Sequence, residues 1–237
     1  MTQNNNKVKK VREVIAKSAK KSGRSPEDIT LIAVTKTVKV EQINEVLAAG
    51  VQDIGENRVQ EMLPKYEQIN EENIYSPNWH FIGNLQKNKI KFIADKVNLI
   101  HSVNSLSLAA EINKHAAKLQ KKINVLLEVN IANEHSKMGI SPDEVIEYVR
   151  GLTKFCNLQF TGLMCIAPYV ENPERNRLHF EKMYELKVDI IRNLLYSYDS
   201  AKDMFHLSMG MSGDYGVAIE EGSTMVRIGT ALFDERI

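Results

Sequence analysis

The sequence predicts an α/β fold: one (β/α)8 barrel, a TIM barrel, with an extra N-terminal helix. Three observations predict it. Eight short runs of β-branched and aliphatic residues recur along 237 residues, and apolar runs of this kind read as strands covered on both faces. Between them lie segments whose apolar residues repeat at helical spacing. The residues closing the runs are mostly polar or small, which suits the face of such a barrel where the βα loops open. Right-handed connections between alternating strands and helices then close a parallel sheet. A doubly wound open sheet is the alternative that alternation alone leaves.

Taken in order, Val8, Val11, Ile15 and Ala19 mark one face of an opening helix that stops near Gly23. The run Thr30 to Thr35 is the first strand and Lys36 closes it. Ile43, Val46 and Leu47 give a helix ending at Gly50, and Val51 to Gly55 is the second strand. Val59, Met62, Leu63, Tyr66 and Ile69 follow at helical spacing, with Pro64 expected to kink or restart that helix. Trp79 to Ile82 and Val97 to Val103 are strands three and four. Leu106, Ala109, Ile112 and Ala116 stripe the next helix, before the fifth strand, Ile123 to Ile131. Ser141-Pro142-Asp143-Glu144 starts a helix with a cap, an N1 proline and early acids. Phe160 to Ile166 is strand six, and Phe180, Met183, Leu186, Ile190 and Leu194 stripe a long helix after it. Met204 to Leu207 and Met225 to Ile228 bring the strands to eight.

No linker rich in Ser, Pro or Gly divides the chain, so residues 1–237 are expected to form a single domain. A net charge of +1 supplies no field for steering nucleic acid or an anionic membrane, and the basic stretches Lys7 to Lys10 and Lys118 to Lys122 read as solvated helix faces. Cys156 and Cys165 are the only cysteines and have no metal-ligand or CxxC spacing, which suits a reducing compartment. With no apolar N-terminal segment and no stretch approaching a membrane span, the expectation is a cytoplasmic protein.

Lys36 is the most informative residue. A lysine at the mouth end of a buried strand either snorkels to water or is placed to react, because desolvation frees its amine to attack an aldehyde as a Schiff-base nucleophile. Phosphate sites in these barrels form from the loops after strands seven and eight. There, Ser208-Met209-Gly210-Met211-Ser212-Gly213 and Ile228-Gly229-Thr230 offer hydroxyls and backbone N–H groups. An amine opposite a phosphate cradle suggests a ligand carrying both an aldehyde and a phosphate, and pyridoxal 5′-phosphate (PLP) is such a molecule.

The motifs Ala33-Val34-Thr35-Lys36-Thr37, Gly55-Glu56-Asn57, Trp79 to Lys89, Gly162-Leu163-Met164, Leu207 to Ser212 and Ser223 to Thr230 run in order along nearly the whole chain. Together they resemble the YggS family of pyridoxal phosphate-binding proteins, also called the PLP homeostasis or PROSC family, similar in fold to the barrel domain of alanine racemase. The resemblance implies that Lys36 holds PLP as an internal aldimine, with Ser208, Gly229 and Thr230 at the phosphate and Arg227 facing the pyridine nitrogen. It places Asn57, His80 and Met164 along the ring. A methionine on an apolar strand is also ordinary filler, and a lone histidine an ordinary core residue. For Arg227, in mid-strand, the alternative is a structural ion pair with an acid.

The cofactor is a strong electron sink when its ring nitrogen is protonated, and a permanently charged arginine opposes that state. Racemisation also needs a second base facing Lys36. In the racemases a tyrosine from an additional β domain of a partner subunit supplies it, and the barrel consumes this sequence. Tyr169 and Tyr215, in expected mouth loops, are the substitutes available. The reading is therefore a PLP carrier or buffer, a monomer that hands cofactor to apo PLP-dependent enzymes. The alternatives are a PLP-dependent amino-acid racemase of low activity and a cofactor-free Schiff-base aldolase.

Overall fold

A computed structural model describes residues 3–134, 137–194 and 206–233. Its strands are β1 (Thr30–Val34), β2 (Asp53–Glu56), β3 (Asn78–Phe81), β4 (Leu99–Val103), β5 (Ile123–Val129), β6 (Leu158–Cys165), β7 (His206–Ser208) and β8 (Met225–Ile228). They pair in parallel in sequence order as a closed barrel. Closure runs through Thr30↔Met225 to Ala33↔Ile228, which excludes the open sheet. Met204, expected to begin strand seven, lies outside the described residues.

Side chains alternate across each strand, so the apolar runs feed two cores. Leu31, Ala33, Trp79, Phe81, Val125 and Leu127 point outward and pack under the helices, whereas Ile32, Leu99, Leu126, Met164 and Met225 form a separate apolar plug inside the cylinder. Ile43, Ile112 and Phe180 are fully withdrawn from water on the helices. Each such burial contributes roughly 1.5–3 kcal/mol.

The helices are α1 (Gln3–Lys21), α2 (Val40–Ala48), α3 (Val59–Glu72), α4 (Ile90–Ile93), α5 (Leu106–Lys118), α6 (Val145–Leu152), α7 (Arg177–Leu194) and α8 (Tyr215–Glu220). α1 is the extra helix; it buries Val8, Val11, Ile15 and Ala19 and packs against α2 and α8. Among the described residues no helix is long and apolar enough to cross a membrane.

Two expectations are corrected. Pro64 does not restart its helix, because α3 runs continuously through it. Pro64 and Gln60 both face solvent, so water can satisfy the Gln60 carbonyl that lacks its helical donor. Tyr215 is not in a mouth loop but opens α8, where it is buried.

The barrel wall is uneven. β5 and β6 match over seven registered pairs, from Ile123↔Leu158 to Val129↔Cys165, whereas β7 and β8 share only Ser208↔Met225. Side chains lace the short edge. Ser223 Oγ donates within reach of three carbonyls, those of Leu207, Met209 and Met225, and Thr224 Oγ1 accepts from the Leu207 N–H.

Candidate functional site

Lys36 continues the inward face of β1 set by Ile32 and Val34, and Val34 and Lys36 both line a cavity of about 630 Å³ at the barrel mouth. Its neighbours are fastened from outside. Thr35 points outward, and its Oγ1 donates to Glu56 Oε1 at 2.6 Å. Lys65, on α3, donates from Nζ to the Thr35 carbonyl and to the same Glu56 oxygen, both at 2.7 Å. Burial pushes the Glu56 carboxyl above its ordinary range, while the bonds from Lys65 and Thr35 oppose that rise. On the other side, Thr37 adopts φ +60°, a rare conformation for a β-branched residue, and its N–H donates to Glu61 Oε2 at 2.8 Å. The backbone bearing Lys36 is thus clamped at both flanking residues.

On the neighbouring strand β8, in register with Ile32, stands Arg227. One terminal nitrogen donates to the Ser208 carbonyl at 2.7 Å and to Ser208 Oγ at 2.6 Å; the other donates to the Cys165 carbonyl at 2.8 Å. Burial lowers its proton affinity, and Cys165, Asp214 and Glu128 work the other way. Among the described residues Arg227 is therefore held by backbone and hydroxyl oxygens, rather than by the carboxylate partner of an ordinary ion pair. Cys165 beside it is buried, and its thiol is pushed up to about 12.

The loops after β7 and β8 complete the mouth. Ser212 Oγ accepts from the N–H groups of Gly229 and Ala231 at 3.2 and 3.3 Å, tying the two loops together. Asp214 shapes the first loop by accepting from the Met211 N–H at 2.7 Å and from Asn176 Nδ2 at 2.8 Å. Among the described residues, no acceptor is paired with the backbone N–H groups of Ser212, Gly213 and Thr230. A Cβ on Gly213 would meet nothing within 4 Å, so this backbone borders open space. Free N–H groups on glycine-containing loops are the elements of an anion cradle.

Of the residues singled out in the sequence, Lys36, Asn57, Arg227, Gly229 and Thr230 meet on this one cavity. His80, Met164 and Ser208 lie beneath it: Met164 in the interior plug, His80 and Ser208 in a buried polar column. Ser212 is the hydroxyl of that loop that reaches the wall. Chain position carried the signal, since Ser208 ends β7 inside the cylinder while Ser212 lies four residues further on, in the loop at its mouth. Asn176, also on the wall, sits in a short 3₁₀ turn before α7 and gave no sequence signal. Of the stretch His135 to Gly139, Lys137 lines the cavity, and His135 and Ser136 lie outside the described residues.

The donor set fits a phosphorylated aldehyde: the Lys36 amine, a second amine on Lys137 that is paired with Glu134 at 2.8 Å, unpaired backbone N–H groups on the same cavity, and a buried Asn57 Oδ1 without a partner among the described residues. Gly83 lets the wall close around Asn57, since a Cβ there would lie 2.2 Å from the Asn57 carbonyl oxygen.

A family model described as alanine racemase, N-terminal domain, matches residues 11–236. A pyridoxal phosphate homeostasis protein of Aquifex aeolicus is 44% identical over 230 residues, 97% of each chain. The chain belongs to that family. The Escherichia coli K12 protein of the same name is 37% identical over 231 residues, 95% of this chain and 94% of its own. PipY of Synechococcus elongatus PCC7942, solved with PLP bound, has a TM-score of 0.77 at 30% identity, covering 92% of this chain and 99% of PipY. An alanine racemase from Clostridium difficile 630 shares the fold, with a TM-score of 0.67 at 16% identity over 98% of this chain and 57% of the racemase. The family resemblance carried by the motifs is therefore shown.

Proposed function

We propose that this chain binds PLP at the barrel mouth, holds it reversibly as a Schiff base with Lys36, and serves PLP homeostasis as a carrier or buffer with little turnover of its own. The observation that carries the reading is the meeting, on one 630 Å³ cavity, of a strand-end amine with the unpaired N–H groups of Ser212, Gly213 and Thr230. When bound, the cofactor supplies an aldehyde, which a free amine captures with loss of water. Lys36 provides that amine, the Ser212 and Gly229 loops receive the phosphate, and Asn57 offers an acceptor beside the ring. Ser208 acts from below, by orienting Arg227.

Little turnover follows from what surrounds the amine. Arg227 remains charged at neutral pH and disfavours a protonated ring nitrogen. Tyr215, buried on α8, has its hydroxyl proton held more tightly by desolvation and is off the cavity wall. Tyr169 is on the wall but 95% exposed, with no hydrogen bond among the described residues to orient it as a base. Delivery to apo-enzymes is supported by the exposed apolar rim of Ile166, Tyr169 and Met211.

The test is an absorbance scan with added PLP, followed by borohydride reduction and mass mapping. The expected result is a visible band and an adduct at Lys36, both lost in Lys36→Ala. No adduct, or one on Lys137, overturns the assignment. Exchange of an amino acid's α-hydrogen with deuterated water at an ordinary enzymatic rate, on the order of 1 per second, overturns the carrier reading in favour of a racemase.

A further inference from the structure

Beneath the cavity a file of polar side chains runs through the interior of the barrel. It starts at Asp53, the first residue of β2 and so at the face opposite the mouth. Asp53 Oδ1 lies 2.9 Å from His80 Nε2, and His80 Nδ1 lies 2.9 Å from His101 Nε2. His101 Nδ1 lies 2.9 Å from Ser208 Oγ, which in turn receives Arg227 at 2.6 Å. His80, His101, Ser208 and Arg227 are all buried, while the Asp53 side chain is 18% exposed. One residue each from β2, β3, β4, β7 and β8 thus connects the far face of the cylinder to the cavity wall.

Where each ring holds one proton, the carboxylate end fixes the direction of every bond in the file. A guanidinium only donates and a carboxylate only accepts. Arg227 occupies one lone pair of Ser208 Oγ, so the hydroxyl proton is free to point at His101 Nδ1. His101 then carries its proton on Nε2 and donates it to His80 Nδ1, and His80 carries its own on Nε2 and donates it to Asp53. Burial, His80, Arg227 and His206 all disfavour a charged His101, in keeping with a neutral ring. Asn78 Nδ2 also donates to Asp53 Oδ1, at 3.1 Å, holding that oxygen as an acceptor.

We propose that Asp53, His80 and His101 are positioning residues for the cofactor site: through one unidirectional chain of hydrogen bonds they set the orientation of Ser208, and through it of Arg227 at the cavity wall. This rests on the reading that PLP occupies the cavity. Asp53, on the opposite face, then governs a residue at the ring without touching the ligand. An asparagine at that position can donate, which permits the whole chain to reverse.

The experiment is long-range nitrogen–proton NMR on the full chain carrying heavy-nitrogen histidine, without and with PLP, in the wild type and in Asp53→Asn and Asp53→Glu. The expected wild-type spectrum shows His80 and His101 both protonated on Nε2 and bare on Nδ1. In Asp53→Asn the His101 proton moves to Nδ1 and PLP binds about tenfold more weakly, the scale of one mis-satisfied buried hydrogen bond. Asp53→Glu restores the wild-type pattern. Wild-type His101 protonated on Nδ1, or an Asp53→Asn protein with unchanged tautomers and affinity, overturns the proposal. Should Asp53→Asn not fold, the wild-type tautomers and the Asp53→Glu affinity still decide it. If wild-type protein takes up no PLP, the carrier reading falls separately, because the tautomers are read in the ligand-free protein.

Discussion

Lys65 Nζ lies 2.7 Å from Glu56 Oε1, at a carboxylate with no exposed surface, directly outside the strand end that bears Lys36. Removing one member of a buried pair strands the other's charge, so Lys65→Met is expected to destabilise the protein by about 3–5 kcal/mol at neutral pH in urea unfolding. The sign with pH follows from Glu56. A carboxyl raised by burial contributes stability below its unfolded value and loses it as pH rises through the folded value. Without Lys65 the folded value climbs further, so the deficit grows toward alkaline pH and shrinks in mild acid.

Arg227→Lys keeps the charge but replaces a planar fork by a single ammonium. It cannot serve the Ser208 carbonyl, Ser208 Oγ and the Cys165 carbonyl in the same geometry. A loss of about 1–3 kcal/mol in thermal unfolding is expected from the acceptors left unmet.

His101 is held well below its ordinary value of 6.5, chiefly by burial. A depressed histidine gives stability that is present above the unfolded value and is lost as pH falls toward the folded one. Below pH 6.5 the wild type should therefore lose up to about 1.4 kcal/mol per pH unit from this residue. His101→Gln should flatten that slope, as measured by denaturant midpoints from pH 7 to pH 5.

Cys156 is exposed and Cys165 is buried with its thiol pushed up to about 12. A maleimide added to the folded protein should label Cys156 alone, and Cys165 only in denaturant.

Gly83→Ala places a methyl against the Asn57 backbone, where its carbon would lie 2.2 Å from the carbonyl oxygen. A cost of about 1–3 kcal/mol in stability is expected, together with weaker PLP uptake in the absorbance titration.

The barrel was legible because its signal is redundant: strands such as Thr30–Val34 and Ile123–Val129 are largely apolar on both faces, and a parallel closed sheet is what such runs with helical connections make. Lys36, Asn57, Gly229 and Thr230 were legible because each closely follows a strand. Ser208 and His80 were harder, since each lies within its strand and a polar residue there is readable only as pointing inward, not as reaching the mouth. The short helices α4 and α8 escaped because four and six residues are too few for a periodic stripe. The link from Asp53 to Arg227 joins residues far apart in sequence and leaves no local pattern at all.

The edge between β7 and β8 has a single registered pair among the described residues and is held by the backbone bonds Thr224 to Leu207, Met209 to Met225 and Arg227 to Gly210 and by the hydroxyls of Ser223 and Thr224. Both anion-facing loops spring from the two sides of that edge. An occupant grasping Ser212 on one side and Thr230 on the other acts as a rivet across it, so loading raises the melting temperature by mass action and slows amide exchange first at this seam. Release of the cargo and loosening of the wall are then one event.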